Sequence, residues 1–268
     1  MGHRRHSAGG LTMEPVSRHL YIVTGASRGM GAAMAEQLLA PDHLLLCISR
    51  HLSTELAAQA EAIGGAQCEQ WTLDLAEPVS VAAKLQGWIG ALDGATFASA
   101  TLINNAAALT RVGPIDACSD AELSAALRVS LEAPVLLTAA FLRATRAWTG
   151  PKRVLNVSSG LGRRAMAGQA SYCAAKAGMD HFSRALALDE ANRADGAKVV
   201  SLAPGVVDTD MQVHLRASDA AGFPDKANFL SLKDNGQLTS AADAATRVLA
   251  VLARADFGAN PIADVREA

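Results

Sequence analysis

The sequence predicts a single α/β domain: a doubly wound parallel sheet with helices on both faces. Three observations carry this. Short apolar runs alternate with stretches of helical periodicity along nearly the whole chain, the order that parallel strands joined by crossover helices require. The strand candidates are continuous apolar runs, as a sheet covered on both faces demands. No linker, repeat or low-complexity block divides the 268 residues, a length that such a sheet often uses as one unit.

Taken in order, residues 20–25 (LYIVTG) read as a strand ending in a glycine turn, and 31–40 as the helix that follows. Residues 43–50 are a second buried strand, 53–63 a helix, and 66–75 contain a third strand. Residues 79–92 are helical, and 100–107 form a strand and loop. The Ala/Leu-rich stretch 119–148 reads as one long helix, with Pro134 a source of irregularity because it lacks an N–H. A strand at 152–159, a helix at 171–193 and a strand at 197–205 follow. Residues 206–238 show weak periodicity and many turn formers, and read as a lid, since a long irregular excursion in a compact domain is usually functional. A helix at 241–254 closes the pattern. Residues 1–18 are polar and lack an apolar signal core; they read as a disordered tail preceding a domain over 19–268. His3 and His6 within it read as tail residues rather than metal ligands.

Composition excludes several functions. Half the residues are hydrophobic but only 4% are aromatic, so the core is built from Ala, Leu, Val and Ile. A net charge of −2 leaves no basic excess to neutralise phosphates, which argues against nucleic acid as a partner. Apolar runs break before the ~20 residues of a membrane span. The cysteines Cys47, Cys68, Cys118 and Cys173 show no metal-ligand spacing; they read as reduced thiols of a cytoplasmic protein, and no metal site is expected.

The turn Thr24-Gly25-Ala26-Ser27-Arg28-Gly29-Met30-Gly31 lies between a strand and a helix. Glycines there let backbone N–H groups approach a pyrophosphate, and the helix N-terminus adds partial positive charge. This is the context that a Rossmann-type dinucleotide site requires. A fold selecting NAD usually ends its second strand on an acid that holds the ribose 2′-hydroxyl. Here that strand ends Ser49-Arg50-His51. Arg50, with Arg28 in the turn, is suited to fork onto a 2′-phosphate, so NADP(H) is the expected cofactor.

Tyr172 and Lys176 stand four apart on a predicted helix, so phenol and ammonium share a face. A nearby ammonium favours the phenolate and lowers the tyrosine pKa from about 10. Such a tyrosine can protonate a carbonyl oxygen while hydride reaches the carbon. Ser159, at the end of the strand Asn156-Val157-Ser158-Ser159, can hydrogen-bond the same oxygen.

Together TGASRGMG, Asp74-Leu75, NNAA at 104–107, NVSS, YCAAK and Pro204-Gly205 occur in an order that resembles the short-chain dehydrogenase/reductase family, from Leu20 to about Asp264. The resemblance implies Ser159, Tyr172 and Lys176 as the catalytic set. It also implies a cofactor site made by Gly25, Ser27, Arg28, Gly29, Met30, Gly31, Arg50, Asp74, Leu75, Asn105, Ala106, Tyr172, Lys176, Pro204, Gly205, Val207 and Thr209. In that reading Asp74 holds the adenine amino group, Lys176 the nicotinamide ribose and Thr209 the carboxamide. Two departures stand out. Ser130 occupies the place of an Asn that supports a proton-relay water, and Ala107 replaces a glycine, which is harmless if its φ is negative.

The second half is similar to sepiapterin reductases and bacterial benzil reductases, in KRVLNVSSGLG, YCAAKAG, APGVVDTDMQ and FGANPIADV. This implies a substrate site from Ser159, Leu161, Gln169, Met211, Gln212 and Asp264, with Asp264 anchoring paired N–H donors or else pairing with Arg266. Gln169 stands where both relatives tend to carry Trp. The expected activity is NADPH-dependent reduction of a small dicarbonyl or pterin-like ketone. The alternatives are the reverse alcohol oxidation and a non-catalytic nucleotide-binding or redox-sensing role. The resemblance also implies pairing of the helices at 119–148 and 171–193 across a two-fold axis, giving a homodimer or a tetramer.

Overall fold

The computed structural model describes residues 18–267. Seven parallel strands form one sheet in the order β3-β2-β1-β4-β5-β6-β7. They are β1 (Arg18–Thr24), β2 (His43–Ser49), β3 (Gln67–Thr72), β4 (Phe97–Asn104), β5 (Lys152–Val157), β6 (Lys198–Ala203) and β7 (Ile262–Asp264). The helices are α1 (Gly29–Gln37), α2 (Thr54–Ala62), α3 (Pro78–Gly90), α4 (Asp120–Leu127), α5 (Ala133–Thr145), α6 (Ala170–Ala191), α7 (Asp210–Ala217), α8 (Lys226–Asp234) and α9 (Ala241–Ala253). The tail expected over residues 1–18 lies outside the described residues except for Arg18, which opens β1.

The continuous apolar strands work because successive side chains serve opposite faces. On β1, Ile22 joins Leu46, Leu85, Leu137 and Phe141 beneath α3 and α5, while Val23 joins Leu45, Met34, Leu56 and Val248 beneath α1, α2 and α9. Burying each such side chain contributes about 1.5–3 kcal/mol, so both faces of the central strands are anchored. A third, smaller cluster of Val112, Met166, Leu215 and Phe223 lies under the 206–238 segment.

Two elements differ from the sequence reading, and a third shows the form of an irregularity that was expected. The segment 206–238 is not irregular: it carries α7 and α8, which are short and polar, α8 burying no residue. Periodicity has too few apolar positions to register there. The strand β7 is only three residues long and was not expected from the tail sequence. The long helix read over 119–148 is continuous from Asp120 to Thr145, and the irregularity expected at Pro134 takes the form of a π turn within it. A capping box of Ser119 and Glu122 starts α4, a π-helical turn occupies Arg128–Glu132, and α5 resumes with Pro134 in its first turn. Proline cannot complete the regular hydrogen-bond ladder and its ring crowds the carbonyl four residues earlier. The wider π turn immediately before it gives that ring room.

The helix run Asp120–Thr145 reaches a mean hydropathy of 1.6 over an 18-residue window, although Arg128, Glu132 and Arg143 break it into shorter apolar runs. Its apolarity serves the core: Leu137, Ala140 and Phe141 are fully buried against the sheet.

Candidate active site

The polarity of the sheet brings the C-terminal ends of β1, β4, β5 and β6 to one edge, where open α/β sheets bind ligands. A cavity of about 900 Å³ lies there. It is lined by every expected cofactor and substrate residue except Asp264, and by Ser159, Tyr172 and Lys176 of the expected catalytic set. Ser130 and Asp264 do not line it.

The glycine turn is closed on the loop after β4. Thr24 Oγ1 accepts the backbone N–H groups of Asn105 and Ala106, each at 3.0 Å. Asn105 Nδ2 donates to the carbonyls of Thr24 at 3.0 Å and Gly25 at 3.3 Å. Gly31 has to be glycine, because a Cβ there would stand 2.1 Å from the Gly25 oxygen. Gly29, at φ 57°, would carry a Cβ 3.4 Å from the Thr209 methyl, so the turn and the start of the 206–238 segment nearly touch. Arg28 also reaches this segment, pairing with Asp210 at 2.5 Å. Arg50 is exposed on the cavity wall and has no ion-pair partner within 4.0 Å among the described residues. No described non-glycine residue has positive φ, so Ala107 replaces the usual glycine without strain.

At the other end, β5 delivers Ser159 and α6 delivers Tyr172 and Lys176. Lys176 is 1% exposed. Its Nζ donates to the Val157 carbonyl at 2.7 Å and lies 5.6 Å from the centre of the Tyr172 ring. Burial pulls this lysine down to about 8, against the opposing pull of Asp180. Burial pushes the Tyr172 phenol up to about 12, the Ser159 hydroxyl working the other way. The expected lowering of the phenol by Lys176 is therefore not what the fold provides: desolvation of the phenolate wins. Tyr172 is thereby held protonated.

Ser130 sits in the π turn, 1% exposed. Its hydroxyl accepts the Ala108 N–H at 3.0 Å and donates to the Ala108 carbonyl at 3.2 Å, so it braces the loop that lines the cavity. Asp264 is buried, and its carboxylate takes Arg266 Nε at 2.8 Å and Nη2 at 2.6 Å. The Arg266 guanidinium holds its carboxyl below the usual range. Arg266 lines the cavity in its place. Of the two readings of Asp264, the structure shows the pairing with Arg266.

The sequence reading missed His214, Phe229 and Arg266 on the cavity wall. His214 was findable: Met211, His214 and Leu215 are spaced to share one face of α7. Gln169 is 3% exposed and lines the cavity. Gln212 is also buried, and its Oε1 has no hydrogen-bond partner among the described residues.

The short chain dehydrogenase family model matches residues 19–220, and the chain belongs to that family, whose members are oxidoreductases of alcohol and carbonyl groups using NAD(P)(H). A benzil reductase forming (S)-benzoin, from Bacillus cereus, is 34% identical over 219 residues, covering 82% of this chain and 88% of its own. The sepiapterin reductase of Meriones unguiculatus is 31% identical over 249 residues, 88% of this chain and 92% of its own. A short-chain dehydrogenase/reductase structure from Burkholderia vietnamiensis superposes with a TM-score of 0.63 at 35% identity, covering 94% of this chain and 98% of that one.

Proposed function

We propose that this protein is an NADPH-dependent carbonyl reductase acting on a small dicarbonyl or pterin-like ketone, with Tyr172 as proton donor. The observation that carries the reading is one cavity with the glycine turn and Arg50 at one end and Ser159, Tyr172 and Lys176 at the other. The residues fit the cofactor: the glycine turn lines the cavity at the N-terminus of α1, where backbone N–H groups suit a pyrophosphate, and Arg50, with Arg28 from its exposed pair with Asp210, supplies positive charge for a 2′-phosphate. Asp74 and Leu75 would flank the adenine, and Pro204, Gly205, Val207 and Thr209 the nicotinamide. When bound, NADPH supplies the hydride.

The chain's own residues do the rest. Ser159 hydrogen-bonds the carbonyl oxygen and polarises it. Tyr172 transfers its phenolic proton to that oxygen, and Lys176, charged below about 8, stabilises the phenolate left behind. Gln212 offers its unpartnered oxygen to an N–H or O–H donor, and Met211, Leu161 and Phe229 provide apolar walls, a make-up suited to a flat, compact acceptor. The relatives named for benzil and sepiapterin reduction support this class. The pairing of Asp264 with Arg266 favours the diketone of the two, because an engaged carboxylate is a poor anchor for a pterin's N–H groups. Assembly as a cytoplasmic homodimer completes the proposal.

The test is turnover of α-diketone, pterin and quinone acceptors with NADPH and NADH, in wild type and Arg50→Ala. NADPH should be preferred, and the substitution should cost about 1.5–3 kcal/mol of that preference, roughly 10- to 100-fold in kcat/KM. Equal use of both cofactors, or an unchanged ratio in Arg50→Ala, would contradict the assignment.

A further inference from the structure

A buried carboxylate lies one helical turn beyond Lys176. Asp180 is 2% exposed, a position that acids occupy only when fully partnered. Its Oδ1 accepts the Ser158 hydroxyl at 2.6 Å and the Ser201 hydroxyl at 2.7 Å. Its Oδ2 accepts Arg163 Nε at 3.3 Å. Ser158 immediately precedes Ser159, and the Ser159 hydroxyl in turn accepts the Leu161 N–H at 3.2 Å. The turn that follows is pressed onto α6 at this point: a Cβ at Gly162 would lie 2.9 Å from the Lys176 carbonyl and 3.0 Å from Asp180 Oδ2. Arg163 continues to the Ala263 carbonyl at 2.8 Å and lies 3.9 Å from Asp264.

Charges therefore alternate from the tyrosine's neighbour to the tail: Lys176, Asp180, Arg163, Asp264 and Arg266. The ionisable groups around the Lys176–Asp180 pair come from three places: Tyr172 on α6, Arg163 after the Ser159 turn, and Asp264 with Arg266 at β7. None of the relatives' names or the expected site residues assigns Asp180 a part.

We propose that Asp180 is a positioning residue: through Ser158 and Arg163 it fixes the Ser159 turn on α6, and it sets a negative charge one helical turn from Lys176. This rests on the reading of Ser159, Tyr172 and Lys176 as the catalytic set. Two separable effects follow. Geometry is transmitted by the Ser158 hydroxyl, which is neutral and cannot alter the charge of Lys176. Electrostatics is transmitted by the carboxylate charge, which an amide of the same shape lacks.

The experiment is kcat, KM and the pH dependence of kcat for Asp180→Asn and Ser158→Ala in the full chain, with Tyr172→Phe in parallel. Asp180→Asn should lower kcat about tenfold or more with KM for NADPH within about threefold, and move the alkaline limb of kcat toward acid by about 0.5 pH unit or more. A role confined to packing would lower the melting temperature and leave the limb in place, which overturns the proposal. If Asp180→Asn does not fold, Ser158→Ala decides: kcat should fall about fivefold or more with the limb unmoved, and wild-type kcat there overturns the proposal. An active Tyr172→Phe would bring down the catalytic reading and this proposal with it; an inactive Tyr172→Phe beside an unshifted Asp180→Asn removes this proposal alone.

Discussion

Lys176 is subject to opposed demands. Its burial favours the neutral amine, while its task beside a phenol that gives up a proton requires the ammonium. Burial brings it to about 8, and Asp180 limits the fall; Tyr172 keeps its proton until about 12. The sign follows. Below about 8 Lys176 is charged and supports the phenolate, above it the support is lost, and Tyr172 is still protonated throughout. The kcat for carbonyl reduction should therefore be level on the acid side of 8 and fall as pH rises through it, and a profile flat to pH 10 would refute this. At this scale the meeting of Tyr172, Lys176 and Ser159 on one cavity was legible in the sequence, because helix spacing puts the first two on one face and the third ends a strand. The tyrosine's environment was not legible: desolvation depends on what the whole fold packs around the ring. Nor was the engagement of Asp264 with Arg266 decidable beforehand, since either partner was a chemically sound ending for that carboxylate.

The π turn between α4 and α5 is the element whose shape most directly serves the site. It places the Ser130 hydroxyl on both polar groups of the Ala108 backbone, a brace across 22 positions of chain that no local pattern reveals. Ser130→Ala would leave a part-buried N–H and carbonyl without their partner, a cost of about 1–3 kcal/mol. Its melting temperature should fall by several degrees, and kcat should fall with it, because the loop that Ala108 belongs to forms a wall of the cavity. Unchanged stability by calorimetry would show that the brace contributes nothing. Pro134 announced an irregularity in the sequence; its form as a π turn required the structure. The helices α7 and α8 were hidden for a different reason. Both are too short and polar for periodicity to show, and they are held by capping the cavity and covering the Phe223 cluster rather than by their own helical preference.

At the scale of the whole molecule, a parallel sheet covered on both faces was legible because its strands are continuously apolar and serve two layers, each with its own helices; the strand order came only with the structure. What the two layers leave exposed bears on assembly. Leu188 on α6 is 70% exposed and Leu127 on α4 is 39% exposed, and these are the helices expected to meet across a two-fold axis. Light scattering at micromolar concentration should give a particle of at least twice the 27.7 kDa chain, and Leu188→Glu should weaken it; a monomer would reject the proposed dimer. One substitution tests the edge of the sheet where Ser159, Tyr172 and Lys176 meet. Tyr172→Phe keeps the ring that packs there and removes only the proton. The measurement is kcat for NADPH-dependent diketone reduction, alongside NADPH binding and melting temperature. kcat should fall by about 10²-fold or more with binding and stability close to wild type; turnover at the wild-type rate would show that the Tyr172 hydroxyl is not the proton donor.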